Sequence, residues 1–179
     1  MGRLGKQLRE GAWGLARARA IADGICEMGR IAEVRALISE LFGEDVEVRK
    51  RAADVARRVS EREPTLLAKY ADELSGLLAQ LPVEEARTRW HLGLVVPRIA
   101  LTQAQRLRAA RAMLVLAEDA SNVVRCSAVE GLGTLALAEP SLREEAEAMV
   151  EQYLCEGTLA MKSRSRHVRK LLAKGYGER

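Results

Sequence analysis

Aromatic side chains are scarce: only 3% of the 179 residues are Phe, Trp or Tyr, with a single Phe. A core built without them must be filled by Leu, Ala and Val, which suits helices packed through small and branched side chains and argues against a β-rich fold. Histidine is limited to His91 and His167, and neither lies in an HExxH pattern. There is no GxSxG elbow and no GKS/T phosphate loop, so the motif-bearing hydrolase and nucleotide-binding classes are excluded. The three cysteines, Cys26, Cys126 and Cys155, are odd in number, widely spaced and without a CxxC pair. That pattern fits reduced thiols in an intracellular protein, not a zinc site or a disulfide framework. No apolar run approaches the roughly 20 residues of a membrane helix, and the opening MGRLGKQLREGAWG lacks the apolar block of a signal peptide. Lys6 stands where a myristoylation motif needs Ser or Thr. The expectation is a soluble, cytoplasmic chain without membrane association, metal or cofactor.

What is present is a repeat. Arginines at 49, 87, 125 and 164 open the helical runs VRKRAADVARRV, ARTRWHLGLVVPRI, VRCSAVEGLGTLAL and SRSRHVRKLLAKG, in steps of 38, 38 and 39 residues. Each run follows another amphipathic segment. A pair of helices returning at this period predicts an α-solenoid, in which each unit covers the apolar face of its neighbour.

Apolar spacing and Pro or Gly punctuation predict an all-α chain of about nine helices. A leading helix spans 4–22, and helix pairs follow at about 27–62, 65–100, 102–138 and 141–174, all in one domain over 1–179. The leading helix aligns with the second helix of a pair, since Leu8-Arg9 precedes Val48-Arg49 by 40 residues. Pro97, inside the fifth predicted helix, is expected to kink it by removing the bond to the Gly93 carbonyl.

The stretch from Asp119 through Arg125, Ala128 and Leu132 to Leu135 resembles the second helix of a HEAT repeat, with an acid six residues before an arginine and small and aliphatic residues at helical steps. Asp45 before Arg49 and Glu84 before Arg87 are looser matches. Trp90-His91-Leu92 with Pro97-Arg98 resembles a run found in uncharacterised bacterial HEAT-repeat proteins. The resemblance implies a right-handed, armadillo-like solenoid whose second helices line a concave binding face, and it implies no activity. In such a unit Arg49, Arg87 and Arg125 are expected to bond a nearby acid or helix end and lock repeat to repeat. Asp119, near a helix N-terminus, is favoured there by the helix dipole.

A protein-interaction scaffold is therefore expected, without catalytic residues. The third helix is two-faced, with Lys50 and Arg57 opposite its valines. The fifth and seventh are apolar all round, so they are either buried on every side or open to a partner along a groove at Val95, Ile99, Gly133 and Leu137. Trp90 stands in the register of Ala52 and Ala128 and is expected to fill a core gap, with base stacking as the alternative role.

The alternative partner is nucleic acid. The net charge of +4 hides an asymmetry: residues 161–179 carry +6, residues 1–35 carry +3 and the middle carries −5. Arg164, Arg166, Arg169 and Lys170 are the candidate phosphate contacts, against the simpler account of a polar terminal cap. A HEAT-like DNA glycosylase would need an aromatic platform, an acid and an arginine in one basic cleft, for which the chain offers Trp13 and Trp90. A small-molecule ligand is not expected.

Overall fold

The computed structural model describes residues 2–28 and 31–177, and these are all-helical. The helices are α1 (Arg3–Arg9), α2 (Leu15–Met28), α3 (Ile31–Leu41), α4 (Val46–Arg62), α5 (Ala71–Gln80), α6 (Ala86–Ile99), α7 (Gln103–Ala117), α8 (Asn122–Ala138), α9 (Arg143–Glu156) and α10 (Leu159–Gly177). Short 3₁₀ turns at Pro64–Leu66, Ala68–Tyr70, Val83–Glu85 and Pro140–Leu142 lead into the helices that follow them.

The expected leading helix over 4–22 is two helices. It breaks after Arg9, and Gly11 adopts φ +72°, a conformation that residues with a side chain rarely adopt. Arginines occupy the carbonyls freed at the break. Arg17 donates from Nε and Nη2 to the Gln7 carbonyl at 3.2 and 2.8 Å, and Arg51 donates to the Leu8 carbonyl at 2.9 Å. The chain is thereby turned so that α2 packs along α4, while the helix carrying Leu8-Arg9 touches α4 less extensively.

Local signals account for other boundaries. Asp45 caps α4 by accepting from the Glu47 and Val48 amides at 3.0 and 3.1 Å. Thr102 and Gln105 form a reciprocal capping box at the start of α7.

The helices lie in two rows. In the even row, α2 touches α4, α4 touches α6, α6 touches α8 and α8 touches α10. The odd-numbered helices cover one side of it, with α3 on α4, α5 on α6, α7 on α8 and α9 on α10. One continuous core runs between the rows, from Leu4 and Leu8 through Val55, Leu92, Leu116 and Leu132 to Val168 and Leu172. Each large side chain removed from water there contributes about 1.5–3 kcal/mol before conformational entropy is subtracted.

This arrangement closes the expected apolar groove. Val95 and Ile99 are wholly buried, and Gly133 lies beneath Val168 of α10, whose Cγ1 would collide with a Cβ there. Leu137 packs half-buried against the core, next to Gly175. The helices α6 and α8 are largely apolar because neighbours contact them from both rows, and each keeps one charged, partly exposed edge, at Arg87 and Arg98 on α6 and at Glu130 on α8. Pro97 sits in the last turn of an unbroken α6 and serves a close approach, since a Cβ on Gly131 of α8 would stand 2.8 Å from its Cγ and 3.0 Å from the Gly93 oxygen.

Of the three register arginines, Arg49 behaves as a lock. It pairs with Glu85, just before α6, and donates to the Gly43 carbonyl at 2.7 Å. In the next unit the lock is Arg89, not Arg87. Arg89 donates to Asp119 from Nε and Nη2 at 3.0 and 2.6 Å and to the Leu81 carbonyl at 2.8 Å. Asp119 also accepts from the Ser121 amide at 2.7 Å, at the entry to α8. The two-residue shift follows Pro82 and the 3₁₀ turn that enters α6, and it rotates Arg87 to the opposite, exposed side. Arg125 bonds only Asn122 of its own helix among the described residues, at 3.0 Å.

Candidate functional site

The even row and the segment before α2 build an open surface with two adjoining cavities. The first, about 280 Å³, is bounded by Trp13 and Leu15 on one side, by Lys50, Asp54, Arg57 and Arg58 of α4, and by Arg87, Trp90 and His91 of α6. Positions 50, 54, 57 and 58 share one face of α4 by helical spacing, as do 87, 90 and 91 of α6. The second cavity, about 470 Å³, continues from Trp90 to Val123 and Cys126 of α8 and Ser163, Arg164 and His167 of α10.

Trp90 is the wall both cavities share. It is half-buried, packing one side on the core and stacking on His91 with ring centroids 4.4 Å apart. It is therefore a groove wall, not the gap filler expected from its register. Trp13 sits in the break between α1 and α2, with the Arg51 guanidinium 5.4 Å from its ring centroid. The chain has two tryptophans, 77 residues apart, and both line this groove.

The groove's charges differ along its length. At the first cavity four cations face one acid, Asp54, which accepts from Arg58 at 3.1 Å and lies 3.7 Å from Arg57. Lys50 reaches Glu47 at 2.5 Å, whereas Arg87 is exposed and pairs with no acid among the described residues. Farther along, charges cancel in a ladder across α4, α6, α8 and α10. Arg57 bonds Glu61, Arg98 stands 3.6 Å from Glu61 and 3.3 Å from Glu130, and Arg164 reaches Glu130 at 2.6 Å.

His91 is 5% exposed, and its Nδ1 has no hydrogen-bond partner among the described residues. Burial holds its pKa down to about 4, with Arg57, Arg58 and Arg87 opposing the proton and Asp54 favouring it. The ring is neutral at pH 7 and adds no charge to the groove. Burial also raises the Cys126 thiol, which keeps it protonated and a poor nucleophile. Among the described residues no three His, Cys, Asp or Glu side chains converge as a metal set, and no helix is long and apolar enough to cross a membrane.

No family model, no curated protein and no solved structure matches this chain.

The expected binding residues therefore divide. Lys50 and Arg57 meet in the first cavity, while Val95, Ile99, Gly133 and Leu137 belong to the core. The C-terminal cations divide too. Arg164 is tied to Glu130, and Arg169 lies 3.6 Å from Glu151. Arg166 and Lys170 are exposed and unpaired among the described residues, and Lys174 extends their stripe at the same four-residue step. Trp13, Asp54, Arg58 and Arg87 line the first cavity without being among the protein-binding residues expected from sequence, Trp13 having entered only as an aromatic platform of the glycosylase alternative. The i, i+3, i+4 spacing of Asp54, Arg57 and Arg58 was a readable signal for part of that set, but no local pattern marks Trp13.

Proposed function

We propose that the chain is a cytoplasmic, non-enzymatic α-solenoid of the HEAT type whose even row is the recognition face, and that this face binds single-stranded nucleic acid. The repeat period and the serial contacts of the even row support the solenoid. The convergence of both tryptophans with Lys50, Arg57, Arg58 and Arg87 in one groove carries the choice of ligand. Flat rings on which bases stack, set among cations that meet phosphates, are the two ingredients of single-strand binding, and stacking on an aromatic contributes about 1–3 kcal/mol per base. The exposed stripe of Arg166, Lys170 and Lys174 on α10 extends the positive surface past the far end of the groove. Binding without bond cleavage is proposed because Asp54 is held by two arginines and the Cys126 thiol is protonated.

Because Trp13 and Trp90 are the chain's whole tryptophan complement, its tryptophan fluorescence reports on the groove directly. Titration with short single-stranded DNA and RNA, repeated from about 50 to 200 mM salt, should quench that emission with an affinity that falls steeply as salt rises. Unchanged emission at the lowest salt would reject the proposal.

A second reading, a protein partner, is favoured by the Glu61–Arg98–Glu130–Arg164 ladder, which alternates in sign and presents no uniform potential. It predicts capture of a protein with weak salt dependence.

A further inference from the structure

The side of the molecule away from the groove holds a larger cavity, about 540 Å³, between α5 and α7. Its floor is the buried pair Leu78 and Leu116, and its walls are Ala79, Ala112 and the exposed Val115. Small residues leave the space open. Nothing lies within 4 Å of where a Cβ on Gly76 would stand, in the middle of α5, so the slot is unfilled where a leucine would fill it.

Three arginines border the slot, and two are already committed. Arg108 pairs with Asp72 across the rim, and Arg89, below, is satisfied by Asp119 and the Leu81 carbonyl. Arg111 is exposed on α7 and has no acid partner among the described residues. An apolar slot whose edge carries one cation unpaired among the described residues is complementary to an apolar body that ends in one negative charge.

Size selects among such occupants. The volume falls within the roughly 300–1,000 Å³ of small-molecule sites. Adjacent helix axes stand about 8–10 Å apart, so a slot between them admits a chain or a ring, while a partner helix about 10 Å across would ride above it. From the open slot, its apolar walls and the free guanidinium we infer that the α5–α7 cavity is a binding site for a small monocarboxylate with an acyl chain or ring, carboxylate on Arg111 and hydrocarbon over Leu78 and Leu116. The site is separate from the tryptophan groove and does not depend on the proposal made for it.

Octanoate is the probe, with 1-octanol as its uncharged counterpart, titrated into the isotopically labelled full chain by NMR. Saturable amide shifts are expected over residues 75–79 and 112–116. Gly76→Leu, which places a side chain in open space and suits a helix better than glycine, should abolish both titrations while the protein stays folded. Arg111→Gln, at an exposed position, should weaken octanoate about tenfold, the loss of one charge-assisted bond, and leave 1-octanol unchanged. Shifts that do not saturate or lie elsewhere, octanoate binding retained by Gly76→Leu, equal losses for both probes in Arg111→Gln, or saturation by an acidic leucine-rich peptide but not by octanoate would each overturn the inference.

Discussion

Arg89 on α6 and Asp119 at the entry to α8 are joined by two hydrogen bonds of 3.0 and 2.6 Å, with both side chains buried. The pair bridges two consecutive members of the even row. Its third bond, from Arg89 to the Leu81 carbonyl, ties down the end of α5 as well. Removing one partner strands the other charge away from water, so Asp119→Ala should destabilise the chain by about 3–5 kcal/mol in urea unfolding. Arg87→Ala, two residues from Arg89 but exposed, should stay within about 0.5 kcal/mol of wild type. Equal losses in the two variants would contradict the assignment of Arg89 as the lock.

Glycines in α5 and α8 should respond oppositely to alanine. A Cβ on Gly131 would meet the Met113 sulfur and stand 2.8 Å from Pro97 Cγ. Overpacking of this kind costs about 1–3 kcal/mol, so Gly131→Ala should lower the melting temperature. Gly76→Ala meets only open space in the middle of a helix and should raise stability by about 0.5–1 kcal/mol. Thermal melts of the two single variants decide both signs.

Acid should weaken the fold through His91 before the carboxylates respond. Its pKa is about 4 in the folded protein against 6.5 ordinarily, with burial the main cause. Between those values the unfolded chain binds a proton that the folded chain does not, so stability falls as pH drops from 6.5 toward 4 and levels off below. The loss is on the order of 3 kcal/mol. Glu47, Asp72 and Glu139 are held below their ordinary range by the cations and hydrogen bonds beside them, so their contributions disappear lower in pH. His91→Gln should flatten the upper part of the profile, measured by denaturant midpoints at half-unit steps from pH 7 to pH 4.

Within the groove, aromatic and cationic contributions should separate by their salt response. Trp90→Ala should lower single-strand affinity by about 1–3 kcal/mol at every salt concentration, because stacking releases no counterions. Arg87→Gln should instead reduce the slope of log affinity against log salt by about 0.7, one single-strand phosphate contact. Arg169→Gln, which removes a cation already beside Glu151, should change the slope less than Lys170→Gln. Identical slopes for all four variants would remove phosphate contact from the account.

The chain alone determined the helical class and its recurrence, because apolar residues at helical spacing, short Pro- and Gly-marked linkers and the 38-residue step are local or periodic properties. It also identified α6 and α8 as mostly apolar, though not the charged edge that each keeps at Arg87, Arg98 and Glu130. Whether such helices are covered or open depends on what lies across them, and only the packing of α10 over Gly133 and of both rows around Val95 and Ile99 decided that they are core. The break at Gly11 was underestimated because glycine is tolerated in helices, and its left-handed turn is fixed by Arg17 and Arg51 reaching back from elsewhere in the chain. The shift from Arg87 to Arg89 turned on one 3₁₀ turn, since two residues of helix swing a side chain through about 200°. The meeting of Trp13 with Trp90 was the least legible feature. Residues so far apart in sequence are brought together by the stacking of α2, α4 and α6, and tertiary contact leaves no spacing pattern for a sequence to display.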